Sequence, residues 1–118
     1  MLPPEEYEQA ARNADWHVQV AIEQVAFAPG EATLVGPVVR VFRGSSELAG
    51  HIMRLKVGCV RTGEDDEWAP DGAGRFPSDA LRPGRILEAF VVDTPEGPEI
   101  AADLCSLLDS ATDRPRIG

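Results

Sequence analysis

The chain has 118 residues, a net charge of −9 and 43% hydrophobic residues, which is the size and composition of a single globular domain. The negative charge argues against general nucleic-acid binding and against attraction to anionic membranes. No apolar run approaches the ~18 residues of a membrane-spanning helix, and no signal peptide is visible at the N-terminus. As the sequence stands we expect a cytoplasmic location, or export if a leader peptide precedes it.

Residues 4–13 are predicted to form a helix. Pro3 and Pro4 suit a helix start, and the glutamates that follow complement the positive end of the helix dipole. The residues that would form its packed face recur at helical spacing, and they are Tyr7, Ala10, Ala11 and Ala14.

A strand is predicted over residues 18–27, where apolar and polar residues alternate. Val18 and Ile22 share one face, whereas Val25 and Phe27 are out of phase with them. A slip of one residue indicates a β-bulge, which bends a strand around a small barrel. A helix is the alternative, because Val18, Ile22 and Val25 also fit a period of 3.6 residues.

Turn signals separate the remaining predicted strands. Gly36–Pro37 lies inside one of them and requires a kink or a sheet edge, because proline cannot donate to a central ladder. The glycine- and proline-rich residues 62–80 show no period and are predicted to be a long loop. The four further strands are predicted at residues 32–43, 51–61, 86–93 and 99–102.

The C-terminal part of the chain is predicted to end in a short helix and a free tail. Leu104, Leu107 and Leu108 recur at helical spacing and predict a helix over 104–109. The tail over 111–118 is polar and is predicted to be frayed.

The alternating runs predict a mainly β protein with a single domain. Five short strands separated by glycine and proline are typical of a five-stranded antiparallel barrel of the oligonucleotide/oligosaccharide-binding (OB) type, here spanning residues 16–102. An open sandwich is the alternative. The predicted core comprises Val18, Val20, Ile22, Val35, Val39, Val41, Met53, Leu55, Val57, Ile86, Leu87, Phe90 and Val92.

A G-x-V-x-x-V-x-x-G pattern runs from Gly36 to Gly44, and an apolar strand that ends at Cys59 follows it. A long loop and the turn Leu81-Arg82-Pro83-Gly84 come next, and a helix and Ala14-Asp15 precede the whole segment. This order resembles the netrin-like branch of OB folds, which includes the tissue inhibitors of metalloproteinases. The resemblance implies an OB barrel. It does not extend to inhibition, because the chain lacks the N-terminal cysteine and the dense disulfides of those inhibitors.

Residues able to hold a metal or carry nucleophilic chemistry are few. His17, His51, Cys59 and Cys105 show neither H-x-x-x-H nor C-x-x-C spacing, so no metal and no cofactor are predicted. The acidic run Glu64-Asp65-Asp66-Glu67 lacks the register of a calcium loop and is interpreted as a solvated loop. Both cysteines are predicted to be buried free thiols, with a disulfide between them as the alternative in an exported protein.

Positive charge is concentrated in the second and third predicted strands and their connection, where five cations accompany one acid. In OB barrels these two strands form the usual ligand face. Arg40 and Phe42 share one face of the second strand, and Arg54 and Lys56 share one face of the third. These four residues are the predicted ligand face, together with Trp68 in the acidic loop. The alternative is that the cations pair with acids on other strands and that the aromatic residues pack inward.

The sequence carries no G-x-S-x-G motif, no phosphate-binding loop and no dinucleotide fingerprint. It therefore predicts a non-enzymatic binding module with a protein partner. It does not define an oligomeric state. One alternative is a small metal-dependent hydrolase that uses His17, His51 and the acidic loop. Another is single-stranded nucleic-acid binding on the second and third strands, which the net charge disfavours.

Overall fold

The computed structural model describes residues 4–60 and 75–115, and within them the protein is mainly β. One helix, α1 (Pro4–Asn13), precedes the strands at the predicted position. No helix within these residues is long and apolar enough to cross a membrane. The strands are β1 (Trp16–Ala21), β2 (Gln24–Ala28), β3 (Glu31–Arg43), β4 (Ile52–Val60), β5 (Arg75–Pro77), β6 (Ile86–Thr94) and β7 (Gly97–Leu108), with 3₁₀ turns at Ser46–Leu48 and Ser78–Ala80.

The strands form one curled sheet in the order β5-β4-β3-β1-β6-β7. β2 pairs with the first part of β3, and β1 pairs with the second part. The described pairs are antiparallel except β4 with β5. The sheet curls into a half-barrel and brings β4 alongside β7, although no hydrogen-bonded ladder joins them in the described part of the chain. The predicted fold class, a small mainly β barrel-like domain, is confirmed.

The inner side of the curled sheet holds the main apolar core. Every second residue of β1, β4 and β6 points into it, because side chains alternate between the two faces of a strand. Each Val, Leu, Ile or Met side chain among them contributes roughly 1.5–3 kcal/mol when it is fully buried. The buried members are Val18, Val20, Ile22, Ala32, Leu34, Val38, Met53, Leu55, Val57, Cys59, Leu81, Leu87, Ala89 and Val91.

Helix α1 packs on the outer face of β6 and β7. Ala10 and Ala11 lie against a second small cluster that contains Ala14 and Phe90. Arg43 of β3 donates hydrogen bonds to the carbonyl oxygens of Ala11 and Ala14, at the C-terminal end of the helix. A cation at this end also complements the helix dipole. The helix therefore covers the outer face of β6, whose inner face lies in the main core.

Strand β3 exchanges partners at Gly36. Before it β3 pairs with β2, and after it β3 pairs with β1. A Cβ atom at Gly36 would lie 1.7 Å from the carbonyl oxygen of Ala21, at the end of β1. Only glycine fits this close approach, so the Gly36–Pro37 signal marks a change of partner within a continuous strand.

β3 contains two bulges, and the prediction of which of its side chains face the core is partly wrong. The pairing with β1 skips two residues of β3, one of them Val39. Leu34 and Val38 point into the core, whereas Val35 and Val39 are half-buried, which reverses the prediction for these residues. Val41 does pack against the core, because the bulge at Val39 shifts the alternation by one residue.

The strand predicted over 18–27 is two strands, β1 and β2, separated at Ile22 and Glu23. The Ile22 amide donates to the carbonyl oxygen of Arg85 at 2.9 Å, and the Ile22 carbonyl oxygen accepts from the Gly84 amide at 3.0 Å. These bonds hold the end of β1 against the start of β6, and the following residues then turn onto β3. The slip in alternation therefore marks a break between strands, and neither a single bulged strand nor the alternative helix forms there.

The end of the loop predicted over 62–80 contains β5 and a 3₁₀ turn. β5 pairs in parallel with Gly58–Val60 at the end of β4. Three residues are too short to show a period, so the sequence pattern missed this strand. With β5, and with β1 and β2 separate, seven strands are described where five were predicted.

The helix predicted over 104–109 is wrong, because β7 continues to Leu108. A wide bulge opposite Phe90 removes residues 101–104 from the ladder with β6. Ala102 within this bulge has a φ of 49°, in the left-handed region. The bulge breaks the two-residue alternation of β7, so its leucines acquire a spacing that looks helical.

Candidate binding groove

Two of the predicted ligand-face cations lie on the outer side of β4. Met53, Leu55 and Val57 are buried, so the intervening Arg54 and Lys56 project outward and are exposed. The strand thus uses one face for the core and offers the other for contacts.

The β6–β7 hairpin stands opposite these two cations. Its turn consists of two residues, Pro95 and Glu96, and Gly97 after it has a φ of 122°, which favours glycine. The Thr94 hydroxyl donates to the carbonyl oxygen of Gly97 at 2.6 Å and fixes the turn. Between β4 and the hairpin lies an open groove of about 350 Å³, lined by Arg54, Lys56, Glu96, Pro98, Glu99 and Ile100.

The two walls of this groove carry opposite charges. Arg54 and Lys56 lie on the β4 wall, and Glu96 and Glu99 lie on the hairpin wall. None of the four forms an ion pair within 4.0 Å with another residue of the described ranges. The groove therefore offers two cationic and two anionic groups to a ligand that carries both signs.

Arg40 and Phe42, the other two predicted face residues on the strands, lie elsewhere. Arg40 forms an exposed ion pair with Asp113 at 3.7 Å. The Phe42 ring packs edge-on against His17, with ring centroids 5.1 Å apart, so it is not a free stacking surface. Arg54 of β4 pairs with Val35 of β3, and Arg40 lies five residues farther along β3. Arg40 and Arg54 are therefore about 16 Å apart along the strand direction. The structure does not unite the four residues in one site.

The remaining candidates do not join the groove either. Trp68 and the acidic run Glu64–Glu67 lie outside the described residues. His51 is exposed just before β4, where its carbonyl oxygen accepts from the Val38 amide. Cys59 is buried and Cys105 is half-buried, and no disulfide joins them. In residues 4–60 and 75–115 no three His, Cys, Asp or Glu side chains are grouped as metal ligands.

A buried polar network on the outer face of β1 and β6 was missed by the sequence analysis. His17 is 5% exposed, and Gln19 and Glu88 are fully buried. The Glu88 carboxylate lies 2.8 Å from His17 Nε2 and accepts a second hydrogen bond of 2.8 Å from Gln19 Nε2. His17 also stacks on Phe90, with ring centroids 3.9 Å apart. The signal was Glu88, a carboxylate between apolar residues of β6, with the polar residue Gln19 directly opposite it on β1 and His17 two residues away.

The C-terminal tail closes this network. The Thr112 amide donates to Gln19 Oε1 at 2.9 Å, and Gln19 Nε2 donates to the Thr112 hydroxyl at 2.8 Å. Asp109 pairs with Arg85 at 3.4 Å on one side of it. Thr112 is therefore held against β1, and the prediction of a frayed tail is wrong at this residue, because Gln19 needs a partner once it is buried.

Comparison with protein families, with characterised proteins and with solved structures finds no match for this chain. The geometry and charge of the groove are therefore the basis for a functional proposal.

Proposed function

We propose that the protein is a non-enzymatic binding module that recognises a protein partner through the groove between β4 and the β6–β7 hairpin. The observation that carries the proposal is the pairing of a cationic wall, Arg54 and Lys56, with an anionic wall, Glu96 and Glu99. A nucleic-acid strand is a poor fit, because the two glutamates repel its phosphates. A protein segment fits better, because it can carry acidic and basic side chains together.

The position of the groove within the fold supports the proposal. If β1 and β2 together are counted as one broken strand, the order of the five main strands is 3-2-1-4-5, the order of an OB barrel. OB barrels bind ligands on strands 2 and 3 and with the loops that join strands 1 and 2 and strands 4 and 5. In this protein those elements are β3, β4, the β2–β3 turn and the β6–β7 turn, and β4 and the β6–β7 hairpin line the groove. The resemblance to netrin-like OB folds agrees with this assignment.

The rival proposal of a metal-dependent hydrolase receives no such support. It needs His17 and His51 to act together on a bound substrate. His17 is buried, and its Nε2 is engaged by Glu88, whereas His51 is exposed at the start of β4. Neither histidine lines the groove.

Affinity capture with charge-reversed variants tests the proposed function. We expect the protein to retain a specific partner from its native extract and the double variant Arg54→Glu/Lys56→Glu to lose it by about tenfold or more, because two attractive contacts become repulsive. Quantitative mass spectrometry of the captured proteins measures the loss, and titration with the purified partner confirms direct binding.

The matched control reverses two exposed arginines outside the groove, Arg12→Glu and Arg82→Glu, and it should retain the partner. A partner that binds both double variants equally would exclude the groove as the site. If no specific partner is retained by the unaltered protein, the proposed function is wrong.

A further inference from the structure

Strand β2 has one edge that no strand covers in the described part of the chain, because it pairs only with β3. At one end of the sheet β5 is only three residues long, and short edge strands resist pairing with other chains. β2 has five residues, Gln24–Ala28, and none of them is charged or a proline. It therefore lacks the features that usually keep an edge strand from pairing.

The backbone groups of Val25 and Phe27 face this open edge. Two residues join β2 to β3, so Ala28 and Glu31 form the first hydrogen-bonded pair of the hairpin, and such pairs then alternate with non-hydrogen-bonded pairs. The carbonyl oxygen of Val35, four residues after Glu31, accepts at 2.9 Å from the amide just before β2, which agrees with this alternation. The amide and carbonyl groups of Val25 and Phe27 therefore point away from β3.

The side chains of β2 match a second copy of the same strand. Val25 and Phe27 lie opposite buried residues of β3, on the inner side of the sheet. Val25 packs against the main core, whereas Phe27 is 53% exposed. When two copies of β2 run antiparallel with Ala26 opposite Ala26, each Val25 lies opposite Phe27 of the other copy. Because both residues turn their backbone groups to the open edge, each such pair exchanges hydrogen bonds.

We propose that two copies of the protein associate through β2, paired antiparallel about a two-fold axis at Ala26. An interface of this kind uses the same surface on both subunits, so it closes as a dimer. The contact between an aromatic and a β-branched residue across the two strands stabilises the pairing. It also covers Phe27, which is exposed in the single chain.

The distribution of charge permits this contact although the long-range interaction between two copies is repulsive. Each copy carries a net charge of −9, but no charged residue lies between Glu23 and Glu31. The register places Glu23 opposite Pro29 of the other copy, so no two acidic side chains oppose each other directly across the paired strands. At physiological salt the repulsion between more distant exposed charges is screened beyond about 8 Å.

The dimer leaves the proposed binding groove accessible. Arg54 and Lys56 lie on β4, and β3 separates β4 from β2. The association of two copies is therefore independent of the proposed function, and either can fail without the other.

Sedimentation equilibrium of the full-length protein tests the association. We expect monomer and dimer in exchange, with a dissociation constant of about 100 µM or tighter. A protein that stays monomeric up to about 500 µM would overturn the proposal. A series of ever larger species would also overturn it, because an interface about a two-fold axis closes at two copies.

Opposite charges introduced at Ala26 test the register. In Ala26→Lys and in Ala26→Glu like charges meet at the axis, so the dissociation constant of each should rise about fivefold or more. An equimolar mixture should form a mixed dimer, because lysine then lies opposite glutamate, and native mass spectrometry with one variant ¹⁵N-labelled detects it. Ala26 is exposed, so both variants should fold, which circular dichroism checks.

The matched control is Ala49→Lys, which makes the same change at an exposed position beyond the other end of β3 and should leave the dimer unchanged. Equal dimerisation of Ala26→Lys and Ala49→Lys would overturn the proposed pairing. The absence of a mixed dimer from the Ala26→Lys and Ala26→Glu mixture would overturn it as well.

Amide hydrogen exchange followed by NMR locates the interface. At about 500 µM the Val25 and Phe27 amides should exchange about threefold or more slowly than in dilute protein, because most copies are then paired. The Arg54 and Lys56 amides should not change with concentration. Protection of other strands in the dimer would overturn the proposal. Slow exchange of Val25 and Phe27 already in the dilute monomer would also overturn it, because the chain itself would then cover this edge.

Discussion

At the scale of single residues, the most demanding feature of this protein is the buried carboxylate of Glu88. An ionisable group without solvent contact is tolerated only when its hydrogen-bonding capacity is met. Here His17 and Gln19 each reach one carboxylate oxygen at 2.8 Å, and Thr112 in turn binds Gln19. The network therefore ties β1, β6 and the C-terminal tail together across the outer face of the sheet.

Gln19→Leu should lower the free energy of unfolding by about 1–3 kcal/mol, because it removes one hydrogen bond from a buried carboxylate and two from Thr112. Urea denaturation measures the change. In the double variant Gln19→Leu/Glu88→Leu the losses should be less than additive, because the unsatisfied acceptor is also gone. Strictly additive losses would show that the two residues act independently.

At the scale of elements, β4 has two distinct faces with separate roles. Its inner residues complete the core, and its outer residues form the cationic wall of the groove. The wall is positioned by the core, because the depth at which Leu55 is buried determines where Arg54 and Lys56 project. A change on the inner face should therefore affect stability, whereas a change on the outer face should affect binding.

Leu55→Ala should destabilise the protein by about 2–5 kcal/mol, because Leu55 is 1% exposed and its truncation leaves a cavity. Chemical denaturation monitored by tryptophan fluorescence checks this value. The matched control on the same strand is Ile52→Ala, since Ile52 is 63% exposed and its loss should stay within about 0.5 kcal/mol. Equal effects of the two changes would contradict the assigned faces of β4.

At the scale of the whole molecule, the net charge of −9 and the register of the strands both bear on what the protein can bind. The field of the molecule repels polyanions before contact. The register of β3 with β4 separates Arg40 from Arg54 and Lys56, so the cations that the sequence groups together do not form one patch. Both effects favour a ligand of mixed charge over a nucleic acid.

We therefore expect no measurable binding of a single-stranded oligonucleotide at physiological salt. Two cations in one groove neutralise about two phosphates, which gives any residual binding a log–log salt slope of roughly −1.4. Fluorescence titration with a short labelled oligonucleotide tests this expectation. Micromolar affinity that is lost in Arg54→Ala would contradict both this prediction and the argument from net charge.

Helix α1, the positions of β3, β4 and β6 and the outward direction of Arg54 and Lys56 could all be predicted from the sequence. Each depends on a local period, of 3.6 residues in the helix and of two in β4, which neighbouring residues express without reference to the rest of the chain. The partial failure at β3 shows the limit of this reasoning. A bulge at Val39 shifts the alternation, so the reading that was correct for Val41 was wrong for Val35.

Only the tertiary structure decided which distant residues meet. The walls of the groove come from β4 and from the β6–β7 hairpin, and no local pattern connects Arg54 with Glu96 or Glu99. No local pattern connects Glu88 with His17 either. In β7, the bulge opposite Phe90 gives part of a strand the residue spacing of a helix. The sequence by itself determined the mainly β class, the helix and the inner and outer faces of β4, because these follow from local alternation. The curl of the sheet, its bulges and the approach of β4 to β7 depend on how strands pair over long separations, and that pairing is decided by packing of the whole barrel.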